Sequence, residues 1–186
     1  MNQAGSEPMA ASRVFPPRLR QAADPSPLGE IGPGEGAAAR AVQGRGNVLR
    51  YQLLHPEILR ALGEAGHGAQ VLIADGNYPL VTRTHAGARR VYLNLAPDLV
   101  RVTDVLAVIV DAVPIEAAHV MHPDAGDEPS IFLDFRAQLP GLELQPLNRL
   151  DFYAMARGPD LALAIATGER RLYANILLTI GVVPPA

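Results

Sequence analysis

The chain contains no cysteine, no lysine and no tryptophan. The missing cysteine excludes disulfides, thiolate nucleophiles and thiolate-bound zinc. The missing lysine excludes Schiff-base chemistry, pyridoxal phosphate anchoring and the lysine of a phosphate-binding P-loop. All sixteen basic residues are arginine, whose planar fork of donors suits carboxylates, phosphates and vicinal hydroxyls. A net charge of −3 and an aromatic content of 5% supply neither the basic face nor the stacking platform of a nucleic-acid binder, so no such partner is expected. No stretch approaches the ~20 apolar residues of a membrane span. The apolar run Val105 to Val110 stops at Asp111. No hydrophobic signal segment follows Met1. These absences predict a cytoplasmic protein without membrane association.

Two regions differ in composition. Residues 1–47 hold six prolines and seven glycines and show no hydrophobic periodicity. Such a segment buries too little apolar surface to offset its ordering entropy and is expected to be a disordered tail. Gly32-Pro33-Gly34-Glu35-Gly36 imitates a nucleotide-binding loop, but no strand precedes it and the glycine spacing is wrong. No Met lies between Met9 and Met121, and the globular pattern begins at Val48. Valine there matches a GTG start codon, which offers a second reading of the tail as a gene-model artefact. Residues 48–186 are read as one domain, large enough to build a core without staples.

Within it, helix and strand signals alternate. His55 precedes Pro56 and Glu57, which suit a first helical turn; His55 is read as the cap, and Ile58, Leu59, Leu62 and Ala65 form one apolar face up to Gly66. Gln70–Ala74 reads as a short buried strand, Val81–Arg90 as a loop or edge hairpin and Val91–Leu95 as a second strand. Asp98 is placed as the cap of a longer helix with Leu99, Val102, Leu106, Ile109 and Val113 on one stripe. Glu116–Met121 reads as a strand. Residues 122–146, with four prolines, read as an irregular excursion in which Ile131–Phe135 forms a short strand. Leu147–Arg157 is a predicted helix capped by Asn148, and Leu161–Ala166 and Ala174–Ile180 are predicted strands. The alternation predicts an α/β fold, a single compact layered domain.

The candidate chemistry flanks the first strand. His67 sits between Gly66 and Gly68, which allow positive φ and close approach of a ligand. Histidine reaches both protonation states near neutrality and suits general acid–base work, although the Gly-His-Gly turn by itself reads as a loop histidine exposed to water. Asp75 follows at the carboxyl end of the strand, where α/β folds place polar site residues; Asp75-Gly76-Asn77 is also ordinary turn chemistry. His119 and His122, near Asp124, raise a rival metal site. On a strand their spacing directs them to opposite faces and no His-Glu-x-x-His helix frames them, so no metal is expected.

Gly66-His67, then Asp75-Gly76-Asn77-Tyr78-Pro79, then Asn148-Arg149 with Phe152-Tyr153, then Thr167-Gly168-Glu169, Tyr173-Ala174-Asn175, Ile176-Leu177-Leu178 and Gly181-Val182 come in an order that resembles the D-ribose pyranase / L-fucose mutarotase family. Arg149 points to the fucose branch, whereas Ala174 matches the ribose branch and Tyr78 stands where the fucose branch has phenylalanine. The resemblance spans 48–186. It implies interconversion of the ring forms of a free monosaccharide such as L-fucose, without cofactor, in a ring-shaped homo-oligomer, often a decamer, with sites near subunit contacts. It implies that His67 is the proton donor and that Asp75, Arg149, Tyr173, Ala174 and Asn175 bind the sugar. Asp75, Tyr173 and a bound water are the candidates for the second proton carrier. A non-catalytic sugar-binding or transport-associated protein on the same scaffold is the alternative.

Overall fold

The computed structural model describes residues 49–185. The expected tail, residues 1–47, lies outside them. Among the described residues ten elements follow one another: α1 (Pro56–Glu64), β1 (Gln70–Ala74), β2 (Arg89–Tyr92), α2 (Val102–Ala112), β3 (Ile115–Met121), α3 (Ile131–Gln138), β4 (Leu144–Leu147), α4 (Arg149–Ala156), β5 (Leu161–Ala166) and β6 (Ile176–Ile180). The strands form one mixed sheet in the order β2-β5-β1-β6-β3-β4. β1 and β2 both pair in parallel with β5, and β3 pairs in parallel with β4. Only β6 runs the other way, antiparallel to β1 on one side and β3 on the other. Five carboxyl ends and the amino end of β6 therefore share one edge of the sheet.

Both faces are covered, which explains why the central strands are apolar without interruption. One face packs Val71, Ile73, Leu163, Ile165, Ile176 and Leu178 against α1, α2 and α3. The other packs Leu72, Ala164 and Leu177 against Phe152 and Ala156 of α4 and against Tyr78, Leu80 and Ala88 of the connection before β2. Phe132, Phe135 and Phe152 are the bulkiest fully buried side chains. Truncating any one to Ala costs about 3–5 kcal/mol.

Several sequence expectations need correction. Ile131–Phe135 is part of a helix: Ile131, Phe132 and Phe135 are buried while Leu133 is exposed, the spacing of one helical stripe. The excursion contains a strand, β4, at the sheet margin, where Pro146 removes no ladder bond that the sheet needs. β2 ends at Tyr92 because its partner β5 ends at Ala166; one further bond, from Leu93 N–H to the Ala166 carbonyl, closes the ladder. Asp98 does not cap α2. It adopts φ 59° and donates its N–H to the Gly168 carbonyl, while Asp104 in the first helical turn accepts from the Arg101 N–H. Leu99 is accordingly exposed rather than on the apolar stripe. His55 holds the N-cap position of α1, but its side chain makes no capping bond; Pro56 has no N–H and needs no acceptor there. Asn148 does cap α4, accepting from the N–H groups of Leu150 and Asp151.

Candidate active site at the carboxyl edge

Asp75 is the first residue beyond β1 and is 4% exposed. Its carboxylate and the Asn175 amide close a two-way lock. Asp75 N–H donates to Asn175 Oδ1 at 3.0 Å, and Asn175 Nδ2 donates to Asp75 Oδ2 at 2.9 Å. The other carboxylate oxygen accepts from Asn77 N–H at 2.9 Å, the Asx turn that the Asp-Gly-Asn sequence encodes. Burial pushes the carboxyl above its ordinary value, and the donors on Asn77, Asn175, Tyr78 and Ala174 recover only part of that cost.

The loop after β5 braces this turn. Thr167 Oγ1 donates to the Ala74 carbonyl at 2.9 Å, and Gly76 N–H donates to the Glu169 carbonyl at 3.0 Å. The same loop leads through Arg171 to Tyr173, which adopts φ 61°, an uncommon conformation for a bulky side chain. Ala174 and Asn175 follow, both buried, directly before β6. Arg149 opens α4 beyond the end of β4 and is exposed; among the described residues none pairs with its guanidinium. A cavity of about 330 Å³ opens beside Asp75, with Tyr78, Val81, Tyr92, Asn94 and Thr167 in its wall. Tyr78 is held there by a hydrogen bond to the Arg83 carbonyl and edge contacts to Phe152 and Tyr153. Burial raises its phenol well above the ordinary value, so it stays protonated.

Asp75, Arg149, Tyr173, Ala174 and Asn175 thus share one edge. His67 does not. It precedes β1, at the opposite edge, where Gly68 N–H bonds to the Ile180 carbonyl. The five residues of β1 put about 17 Å of extended chain between the two ends. At its own edge the imidazole is exposed, and its Nε2 lies 2.9 Å from an oxygen of Glu116, at the start of β3. Glu116 had no local signal, because 49 residues separate it from His67.

His119 is half-buried on β3, and its imidazole pKa is lowered by burial, with Gln145 opposing. His122 lies beyond the strand, its Nδ1 2.6 Å from the Pro123 carbonyl. No group of three potential metal ligands converges among the described residues. No helix among them is long and apolar enough to cross a membrane.

Residues 49–183 match the RbsD / FucU transport protein family. The chain belongs to this family. A D-ribose pyranase of Variovorax paradoxus is 34% identical over 139 residues, covering 72% of this chain and 97% of that protein. A fucose mutarotase of Danio rerio is 27% identical over 154 residues, covering 72% and 92%. The crystal structure of the fucose mutarotase of Streptococcus pneumoniae in complex with L-fucose superposes with a TM-score of 0.60 at 30% identity, covering 70% of this chain and 94% of that one. The mixed six-stranded sheet with its four helices, as described for residues 49–185, matches the RbsD/FucU structures.

Proposed function

We propose that this RbsD/FucU chain is a monosaccharide mutarotase that interconverts the ring forms of a free sugar, with L-fucose as the first substrate to test. The observation that carries the reading is the Asp75–Asn175 lock beside an open cavity. It is a buried carboxylate with fixed partners, and Tyr173 and Arg149 stand on the same edge. A carboxylate accepts from two sugar hydroxyls, a guanidinium donates to sugar oxygens, and phenol and amide do both. Names of relatives support ribose and fucose alike, and Arg149 inclines the choice to fucose.

Ring opening needs a proton delivered to the ring oxygen and another removed from the anomeric hydroxyl. His67 is the proposed donor. Since one chain holds His67 and Asp75 at opposite edges, the reading requires His67 from a neighbouring copy to meet this carboxyl edge. Exposed Tyr92, Leu95, Leu150 and Leu172 surround that edge and would be covered by such a neighbour. With Glu116 accepting from Nε2–H, Nδ1 is the nitrogen left for the sugar: the imidazolium, steadied by Glu116, gives its Nδ1 proton to the ring oxygen and becomes neutral imidazole. The ring-shaped oligomer, decameric in the resemblance, belongs to this proposal.

The separation of His67 from Asp75 favours one rival, a binding protein that uses the carboxyl edge alone. Saturation-transfer NMR between the anomers of L-fucose and D-ribose separates them. The enzyme reading predicts accelerated exchange by the wild type and none above background by His67→Ala, with a sugar-dependent thermal shift in both. A thermal shift without acceleration by the wild type establishes the binding protein instead.

A further inference from the structure

The Thr167-Gly168-Glu169 signature has no part in the chemistry above, yet it sits at the centre of the site's scaffolding. Glu169 is 2% exposed and carries a full charge into the protein. Its Oε1 accepts from Arg171 N–H at 3.2 Å and from Arg171 Nε at 2.9 Å, and its Oε2 accepts from Arg171 Nη2 at 2.8 Å. Burial raises this carboxyl, but the donors and charge of Arg171 outweigh it and hold the group below its ordinary value. The remaining arm of the guanidinium, Nη1, reaches Asp134 on α3 at 2.7 Å. Every arm of Arg171 is thereby committed to protein, so this arginine is not free to hold a sugar.

The clamp closes a loop that ends in the left-handed Tyr173 and in Asn175. Strained residues persist only where their surroundings over-determine them. Two bonds tie the same loop to the Asp75 turn, through Thr167 Oγ1 and the Glu169 carbonyl. We propose that Glu169 and Arg171, anchored by Asp134, are positioning residues that set Tyr173 and Asn175 against Asp75. The claim rests on the reading that this edge takes the sugar, but its geometric half does not. α3, which contributes no residue to the cavity, becomes the strut of the site.

The test uses the full chain and its Arg171→Lys and Asp134→Asn variants. Lysine keeps the charge but loses the fork. Asp134 is half-exposed, so its variant keeps the fold even if the first does not. Hydrogen–deuterium exchange is read on peptides covering 75–78 and 172–176, with β3 and β4 as internal references. The same proteins are assayed for anomer exchange of L-fucose and D-ribose. Expected are faster exchange in both site peptides with unchanged references, and a KM raised about five-fold or more for Arg171→Lys with a smaller change in kcat, as loss of a charge-assisted bond gives. Asp134→Asn shows the same pattern more weakly. A lowered Tm with both site peptides and KM unchanged overturns the proposal, because the clamp then only stabilises. If the wild type neither binds nor turns over sugar, the functional reading fails by itself, and the peptide exchange still decides whether Arg171 governs the Asp75 turn.

Discussion

Asp75 pays for its place. A carboxylate removed from water is disfavoured, and its pKa rises in the folded chain from an ordinary 3.8. A raised folded pKa means the native state keeps a proton that the unfolded chain has already released. The stabilising effect is complete below 3.8 and is lost as pH climbs through the folded value. Near neutrality the ionised group therefore costs stability. Asp75→Asn is expected to flatten this decline in Tm between acid and neutral pH, and to abolish the sugar-dependent thermal shift. Calorimetry across pH checks the first and ligand titration the second; a variant as pH-sensitive as the wild type removes Asp75 as the source. Glu169 behaves in the opposite sense. Its lowered pKa gives stability that is present above 4.5 and fades as pH falls through the folded value. His67→Ala belongs at this scale too: it should bring anomer exchange down to the uncatalysed background, a loss of about 10²–10⁴-fold, the usual worth of a general acid, while leaving the carboxyl edge able to bind.

Among the elements, α4 and the loop after β5 carry the sharpest expectations. Asn148→Ala removes the acceptor for two helical N–H groups and should cost about 1 kcal/mol in urea unfolding. Because Arg149 is the next residue, the same change should also weaken sugar binding; a variant that loses stability but binds unchanged argues against Arg149 as a ligand. Gly168→Ala is expected to be far more damaging. A methyl there would collide with the Ala96 carbonyl oxygen and lie 2.8 Å from that of Leu99, and neither backbone can yield without moving the turn at Asp98. Far-UV circular dichroism and melting of that variant give the measurement. The same elements show what a sequence discloses. β1 and β5 were legible to the residue, because continuous apolar runs between turn residues have few other readings. α3 reads as a strand from sequence because four apolar residues out of five mask a helical stripe. β4 is not legible in the sequence because Pro146 argues against a strand except at a margin, and the margin is known only from the whole sheet. Asp75 and Asn175 were legible as motifs, but their lock spans 100 residues and only the fold closes it.

At the scale of the whole molecule, the two edges of the sheet carry different halves of the proposed chemistry. A head-to-tail contact between copies is the arrangement that unites them, and such heterologous contacts close into rings when the rotation permits. Mixing His67→Ala with Asp75→Asn subunits tests it directly. Each variant is inactive alone, but refolding an equal mixture restores about a quarter of wild-type sites if each is shared between neighbours. A mixture as inactive as its parents rules out shared sites.

The position of β6 has a consequence for how the protein is made. It is the latest strand in the chain, yet it lies inside the sheet between β1 and β3, with Leu177 and Leu178 fully buried. Until residues 176–180 emerge from the ribosome, two half-sheets face an open slot. A chain truncated before Ile176 should be cut readily by protease and held by chaperones, whereas the full chain released from the ribosome should resist. Asn175 arrives with the strand that fills the slot, so a molecule that has finished folding already has its carboxylate partnered.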